Sequence, residues 1–218
     1  MPPFIDIAQG HSELGRYLRR GTIALFVALP ALFVANVAGR AMVETFAHDD
    51  FPEQLAIKVE HLPVIFPIHM FAGALALILI PLAIAVRRSP CWHRPIAYIA
   101  ATDVIVAGVT AFPVAWYGPV TAWSAAGFSA QAIVWISSLA VGIWHIRNGR
   151  RGAHRRFMLM MAATASGAVF FRIYLALWAI FSHRHGFELF YSCDAWVAWM
   201  GPLIFTAYGL KRGWRILM

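Results

Sequence analysis

The sequence predicts an all-α protein, a bundle of six transmembrane helices with both termini on the cytoplasmic side. Its 218 residues are 61% hydrophobic and only 13% charged, and the mean hydropathy is +0.66. Globular proteins carry about 25% charged residues. So few charges cannot cover the surface of a soluble domain of this size, which excludes a soluble enzyme and a disordered chain. Two further observations, the apolar stretches and the positions of the basic residues, give the number of helices and their orientation.

Six stretches are each long enough to cross a bilayer, which takes about 20 mostly apolar residues in a helix. They cover residues 21–41, 62–86, 95–117, 120–144, 156–181 and 189–210. The second stretch is the most apolar and ends at Arg87 and Arg88. Prolines inside three of the stretches, Pro30, Pro81 and Pro113, are compatible with membrane helices because neighbouring groups satisfy the freed carbonyl.

The other segments are short, so we expect a single transmembrane domain over residues 21–210, with its core at 62–181. Residues 1–20 are expected to form a cytoplasmic lead-in, and residues 211–218 a basic cytoplasmic tail. The one long connection, at about 42–61, is acidic and is expected outside the cell membrane.

Basic residues collect at every second connection between the predicted helices. Fourteen of the eighteen follow this rule: Arg16, Arg19, Arg20, Arg87, Arg88, Arg94, Arg147, Arg150, Arg151, Arg155, Arg156, Lys211, Arg212 and Arg215. Loops rich in Lys and Arg stay in the cytoplasm, which predicts a multi-pass protein of the bacterial inner membrane with both termini inside. The net charge of +8 therefore reports orientation in the lipid bilayer, and nucleic acid is not expected as a partner.

Five polar residues fall inside five different predicted helices, mostly in the outer half: His69, Asp103, Gln131, Arg172 and Asp194. Such groups are costly in a membrane, face the interior of a bundle and mark functional sites. They predict a ligand or cofactor site between the helices. The structural alternatives are an ion pair between Arg172 and Asp194, an interhelical contact at Gln131 and a protonated core carboxyl at Asp103.

Small residues accompany the first of these polar groups. His69, Ala72, Gly73 and Ala76 share one helix face at spacings of three, four and seven. Small side chains allow two helices to approach closely or leave room for a flat cofactor. Gly73 therefore belongs to the candidate cofactor site.

A second group of histidines, His93, His145 and His154, is expected at the cytoplasmic edge of the bundle, each next to Arg or Trp. One interpretation is interfacial anchoring. The other is axial ligation of a haem b, which needs two imidazoles at one depth on different helices. His93 and His154 are the candidate axial ligands.

Three parts of the sequence together resemble a known family. They are the run from His69 through Gly73, Ala76 and Leu77 to Pro81, the pair His93-Arg94, and His154-Arg155 with Met158 and a later Arg172. This is a family of uncharacterised bacterial predicted membrane proteins, a domain of unknown function, and the resemblance covers about residues 65–175. It implies a four-helix core arranged like transmembrane b-type cytochromes and ferric-reductase-like bundles. The family has no established activity to carry over. This chain departs from it after His93-Arg94, where Pro95 stands in place of a usual Gly-Arg pair.

The sequence leaves three kinds of function open. The protein is a membrane oxidoreductase with a haem b or a quinone, a binding or proton-coupled transport protein without redox chemistry, or an accessory subunit among other membrane subunits. No HExxH, GxSxG or paired carboxylates appear, so a membrane hydrolase is disfavoured.

Overall fold

The computed structural model describes residues 32–36, 39–40, 43, 58, 60–118, 120–182 and 185–213. This part of the chain contains helices and no strand. The helices are α1 Ile65–Ala85, α2 Pro90–Trp116, α3 Ala122–Arg147, α4 Arg151–Ala165, α5 Gly167–Phe181 and α6 Phe187–Lys211. The predicted all-α class is confirmed.

Four predicted spans, 62–86, 95–117, 120–144 and 189–210, each correspond to one helix, namely α1, α2, α3 and α6. By length and composition, four segments of the described chain can cross a membrane: α1, α2, α3 and the stretch Arg151–Phe181. The final helix, α6, is 25 residues long and contains Glu188, Asp194 and Lys211; it is not among these four segments, and its crossing stays a prediction.

The chain before α1 is mostly outside the described residues, and so are the predicted lead-in 1–20, most of the loop 42–61 and the tail beyond 213. Of the predicted span 21–41, residues 32–36 and 39–40 are helical. Val34, in this segment, packs against the cluster of Ala74 and Leu77 in α1, as Ala168 and Val169 of α5 also do. The first predicted span thus contributes at least one contact to the bundle.

The predicted single helix 156–181 is wrong in one respect, because the structure has two helices there, separated at Ser166. Gln131 of α3 donates from Nε2 to the carbonyl oxygen of Thr164 at 3.0 Å. Ser166 donates from its hydroxyl to the carbonyl of Ala163 at 2.7 Å. Side chains that bind to the carbonyls of a helix bend or break it, and both bonds lie at the break.

Two helix starts follow from local sequence. Thr121 caps α3 by accepting from the backbone N–H of Ser124 at 3.0 Å, while the Ser124 hydroxyl oxygen accepts from the backbone N–H of Thr121 at 3.2 Å. This reciprocal arrangement is a capping box. Pro90 opens α2 at its first position, where the missing N–H costs nothing.

Helix α3 lies at the centre of the described bundle, packing against α2, α4 and α6, while α1 packs mainly against α2 and α5 against α6. The core joins four helices through mostly small or branched side chains: Ala76, Ile80, Val104, Leu139, Met161 and Ala165. Helices joined by short loops run antiparallel, whereas α4 and α5, joined only by the αR residue Ser166, together form one stretch long enough to cross a membrane.

The antiparallel order brings residues 86–89, residues 148–150 and the C-terminus of α6 to one end of the bundle, which we call the basic end. Its described charges are Arg87, Arg88, Arg94, Arg147, Arg150, Arg151, Arg155, Arg156, Lys211 and Arg212. The other end, which we call the loop end, carries Lys58 with Glu60 and Glu188. The charge asymmetry read from the sequence is therefore a property of the folded bundle.

Close helix approach depends on glycines at two places. A Cβ on Gly127 of α3 would lie 2.9 Å from the carbonyl oxygen of Ala195 and 2.9 Å from the Trp196 indole nitrogen. A Cβ on Gly167, at the start of α5, would lie 2.6 Å from the Cβ of Trp199 and 2.8 Å from Nε2 of Gln131. These separations are shorter than real contacts, so α6 packs against α3 and α5 only because these residues are glycines.

We expect Gly167→Ala to lower the free energy of unfolding by about 1–3 kcal/mol, the usual cost of overpacking. The added methyl group meets the buried Trp199 and the side chain that holds the α4–α5 break, and neither can move away without losing contacts. The midpoint of thermal unfolding in a mild detergent measures this loss of stability.

The matched control is Gly201→Ala. Gly201 is an exposed glycine inside α6, and none of the described residues lies within 4 Å of an added Cβ. Helix propensity predicts no loss there. Equal losses in both variants would contradict the packing argument.

Candidate functional site

His69 lies one turn into α1 near the loop end and is held by α2. Its Nδ1 is 3.0 Å from the carbonyl oxygen of Ala107 and 3.2 Å from Oγ1 of Thr110. A carbonyl can only accept, so Nδ1 carries the proton and donates. In the neutral ring this leaves Nε2 as an acceptor. The bond fixes both the tautomer and the orientation of the ring, as the outer partners of functional histidines do.

Two cationic side chains lie close enough to His69 for their charges to act on its imidazole, Lys58 and Arg172. The Lys58 ammonium donates to the carbonyl oxygen of Val114 in α2 at 2.8 Å, and burial lowers the pKa of Lys58 from its ordinary value. Arg172 of α5 donates from Nη1 to the carbonyl oxygen of Ala168 at 2.8 Å. We call Lys58, His69 and Arg172 the donor cluster. Three separate segments of the chain supply it.

Aromatic rings border the donor cluster on the α6 side. The charge of Arg172 also acts on Tyr191. The Tyr191 ring packs edge-to-face against Phe171 and Phe128, with centroids 5.2 and 5.9 Å apart. The site thus combines cationic and polar groups with an apolar wall.

The ion pair considered for Arg172 and Asp194 is wrong. Asp194 is only 3% exposed, and among the described residues neither of its carboxylate oxygens has a hydrogen-bond partner. It lines a groove of about 580 Å³ that α5 and α6 form. The charges of Asp194 and Arg172 both act on Tyr191, so Asp194 lies near the donor cluster without a hydrogen bond to Arg172.

Asp103 of α2 is placed in a different groove. It is 8% exposed, and its Oδ2 has no hydrogen-bond partner. The groove has a volume of about 590 Å³, lies between α1 and α2, and is walled by apolar residues such as Ile68, Phe71 and Ile99. The two buried carboxyls thus lie in separate apolar grooves.

Gln131 and Gly73 differ in their surroundings. The amide of Gln131 donates to the backbone of α4, which is the interhelical contact that the sequence offered as an alternative. Among the described residues, none comes within 4 Å of a Cβ placed on Gly73, so they leave room beside α1 one turn from His69.

His93 and His154 occupy equivalent positions near the starts of α2 and α4, at the basic end. Nδ1 of His93 donates to the carbonyl oxygen of Ala83, and Nδ1 of His154 to that of Gly142, both at 2.9 Å. In each case the acceptor is in the preceding helix. The neutral rings therefore keep Nε2 as the nitrogen that can bind a metal.

His145, the third histidine of the predicted cytoplasmic group, behaves differently. It stacks on Phe157 with ring centroids 5.4 Å apart, and its buried Nδ1 has no hydrogen-bond partner. Within the described ranges, no three His, Cys, Asp or Glu side chains come together as a metal site. A bis-histidine haem needs only two.

Sequence reasoning did not single out Lys58, Thr110 or Tyr191. Lys58 carried a signal, since it is the one basic residue in the acidic stretch 42–61. Thr110 and Tyr191 carried no signal in the sequence, because their roles depend on which helix packs against α2 and α6. Both lie on helices whose pairing only the fold determines.

A comparison with protein families decides the relationship of the chain. A family model described as "Predicted membrane protein (DUF2306)" matches residues 66–210. The chain belongs to this family. No curated protein and no solved structure matches it.

The family resemblance seen in the sequence is thereby confirmed. The match extends beyond the 65–175 region that carried the resemblance, through α5 and α6. For this DUF2306 member, the likeness to b-type cytochromes and ferric-reductase-like bundles stays a prediction.

We expect the histidine–carbonyl bonds of this DUF2306 protein to hold its helix pairs together. His154→Leu should lower the free energy of unfolding by about 1 kcal/mol, because it removes the bond from α4 to Gly142. His154→Asn should unfold close to wild type, since an Asn amide nitrogen takes the place of Nδ1 and can donate to the same carbonyl. Thermal unfolding in detergent measures both. Equal destabilisation by Leu and Asn would show that the bond to Gly142 is not what matters.

Proposed function

We propose that this membrane protein binds a quinol or quinone at the donor cluster and acts as a membrane oxidoreductase. The observation that carries the proposal is the fixed imidazole of His69, whose Nδ1 donates to α2 while cationic Lys58 and Arg172 lie nearby. A quinol is an apolar ring with hydroxyl groups, and its oxidised form carries carbonyl oxygens at the same places. Within the donor cluster, His69 offers an acceptor for the quinol hydroxyl, and Lys58 and Arg172 offer donors for the quinone carbonyl oxygens.

The acceptor is Nε2 of His69. With Nδ1 donating to the Ala107 carbonyl, Nε2 of the neutral ring can accept a hydrogen bond from a ligand hydroxyl and take its proton. Arg172 supplies N–H donors in a planar fork, which suits a carbonyl or deprotonated oxygen. Both residues would orient the head of the ligand.

An apolar pocket wall fits the rest of such a ligand. The rings of Phe128, Phe171 and Tyr191 pack on one another, and the charge of Arg172 acts on Tyr191. Among the described residues, none fills the space beside Gly73. Aromatic rings pack well against a flat ring in offset or edge-to-face geometry. The bilayer itself would supply a ligand with a long apolar tail.

The same proposal places the protein in the bacterial inner membrane with its basic end in the cytoplasm, as the positive-inside rule supports. The donor cluster then lies in the outer half of the bundle. Lipids would surround the helices, and other membrane subunits would exchange electrons with the bound quinol.

The proposal predicts that His69→Asn weakens binding of decylubiquinol by about three- to tenfold, the effect of one hydrogen bond. Asn keeps a donor to the Ala107 carbonyl and removes Nε2, so the fold should be retained. The loss should be larger for decylubiquinol than for decylubiquinone, because only the reduced form has a hydroxyl that donates to Nε2. Titration of purified protein in lipid nanodiscs, followed by tryptophan fluorescence, measures both affinities.

His185→Asn is the matched control, since His185 is exposed at the same end of the bundle. It should bind both probes as the wild type does. Equal affinity of wild type and His69→Asn for the quinol, with both proteins folded, would overturn the proposal. A non-redox binding protein or an accessory subunit would then be the better account.

A haem b is a second candidate, favoured by the matched environment of His93 and His154. Each histidine could hold a metal through Nε2, because its Nδ1 donates to a backbone carbonyl and so fixes the ring. A haem bound there would supply one-electron chemistry at the basic end. The two histidines would hold it from α2 and α4.

This second candidate predicts that protein produced with ample haem precursor shows the absorption bands of a six-coordinate haem b. His93→Asn and His154→Asn should each abolish these bands while unfolding near the wild-type temperature, because Asn keeps the bond to the carbonyl and lacks Nε2. His145→Asn should keep them. A folded wild type without the bands, or unchanged bands in the first two variants, would exclude haem at this site.

A further inference from the structure

Asp194 is the most deeply buried ionisable group that the proposed function does not use. Its side chain is 3% exposed, and neither of its oxygens has a hydrogen-bond partner within the part of the chain that the structure describes. Burying a carboxyl group without partners is costly. Natural proteins retain such groups mainly where something else meets them.

The surroundings of Asp194 indicate what that partner would be. The α5–α6 groove of about 580 Å³ is walled by aromatic rings together with Asp194, namely Tyr174, Trp178, Phe181 and Phe190. Trp178 and Phe190 stack with centroids 5.3 Å apart and planes 17° apart. A carboxylate surrounded by aromatic faces is the environment that recognises an organic ammonium group, through charge and cation–π attraction.

The groove is also open to the outside of the bundle rather than to its core. Phe181 is 76% exposed and Val197 55% exposed on its walls. A molecule dissolved in the lipid phase can therefore enter the groove that Asp194 lines without passing between tightly packed helices. An apolar body would cover these side chains.

We propose that the α5–α6 groove is a binding site for an amphiphilic ammonium compound, with the ammonium against Asp194 and the apolar body along the aromatic wall. The ammonium group belongs to a free lipophilic amine or to the ethanolamine head of a lipid. The proposal rests on Asp194 and the aromatic wall of the groove and does not depend on the quinol proposal.

Octylamine is the probe, with protein held in nanodiscs of phosphatidylglycerol, a lipid without an ammonium group. Binding of radiolabelled octylamine or 1-octanol is measured directly, with the signal of empty nanodiscs subtracted. Wild type should bind octylamine, and 1-octanol, the neutral compound of the same length, should bind at least about tenfold more weakly, since it lacks the charge–carboxylate pair. Equal binding of the two probes would overturn the proposal.

Asp194→Asn should weaken octylamine binding about tenfold or more, and Asp194→Glu should restore most of it. Asp103→Asn is the matched control, because it removes a similarly buried carboxyl from the α1–α2 groove. The affinity of Asp103→Asn for octylamine should equal that of the wild type. Loss of binding in Asp103→Asn but not in Asp194→Asn would place the ammonium elsewhere and overturn the assignment. Unchanged folding of all variants is checked by thermal unfolding.

Adding phosphatidylethanolamine to the nanodiscs distinguishes the two sources of the ammonium group, a free amine and a lipid head. If the lipid head occupies the groove, the apparent affinity of the wild type for octylamine falls and that of Asp194→Asn does not change. If a free amine is the ligand, the wild-type affinity is the same in both lipids. Either result supports the site, whereas an equal effect of the lipid on wild type and Asp194→Asn contradicts it.

Discussion

The fold depends on the backbone carbonyls as the acceptors of interhelical hydrogen bonds. Inside an apolar bundle each polar side chain needs a partner, and each helix has already used its N–H groups in its own ladder. A carbonyl oxygen, however, has a second lone pair. His69, His93, Gln131 and His154 all donate to such a carbonyl on a neighbouring helix. These bonds connect α1 with α2 and α3 with α4.

The same constraint explains why the carboxyl groups stay without partners. A carboxylate is an acceptor, and a helix interior has no spare N–H to offer it. Of the five partnerless buried polar atoms in the described part of the chain, three are carboxylate oxygens, on Asp103 and Asp194. The donors His69, His93, Gln131 and His154 find partners on a neighbouring helix. The carboxyl groups of Asp103 and Asp194 line grooves at the surface of the bundle. The intramembrane polar residues therefore form two classes, donors bonded to a neighbouring helix and carboxyl groups beside a groove.

Sequence reasoning predicted what depends on composition along the chain, which is the class of fold and most of the helix bounds. It could not predict the break at Ser166, because the break involves Gln131, 35 residues away in sequence and on another helix. For the same reason it paired Arg172 with Asp194. The two residues lie at similar depth on consecutive helices, but the direction of each side chain around its helix decides whether they meet, and this direction follows from how α5 and α6 pack.

The candidate site was partly predictable for a related reason. His69, Arg172 and the histidines of the basic end stand out because charge and imidazole are rare in apolar stretches. Their roles depend on which nitrogen or oxygen is already engaged, and only the fold shows that. A histidine whose Nδ1 is bound to a carbonyl holds two helices together with one nitrogen and leaves the other for chemistry. Structure and function at His69, His93 and His154 thus rest on different atoms of one ring, so substitutions that keep one nitrogen and remove the other can separate the two.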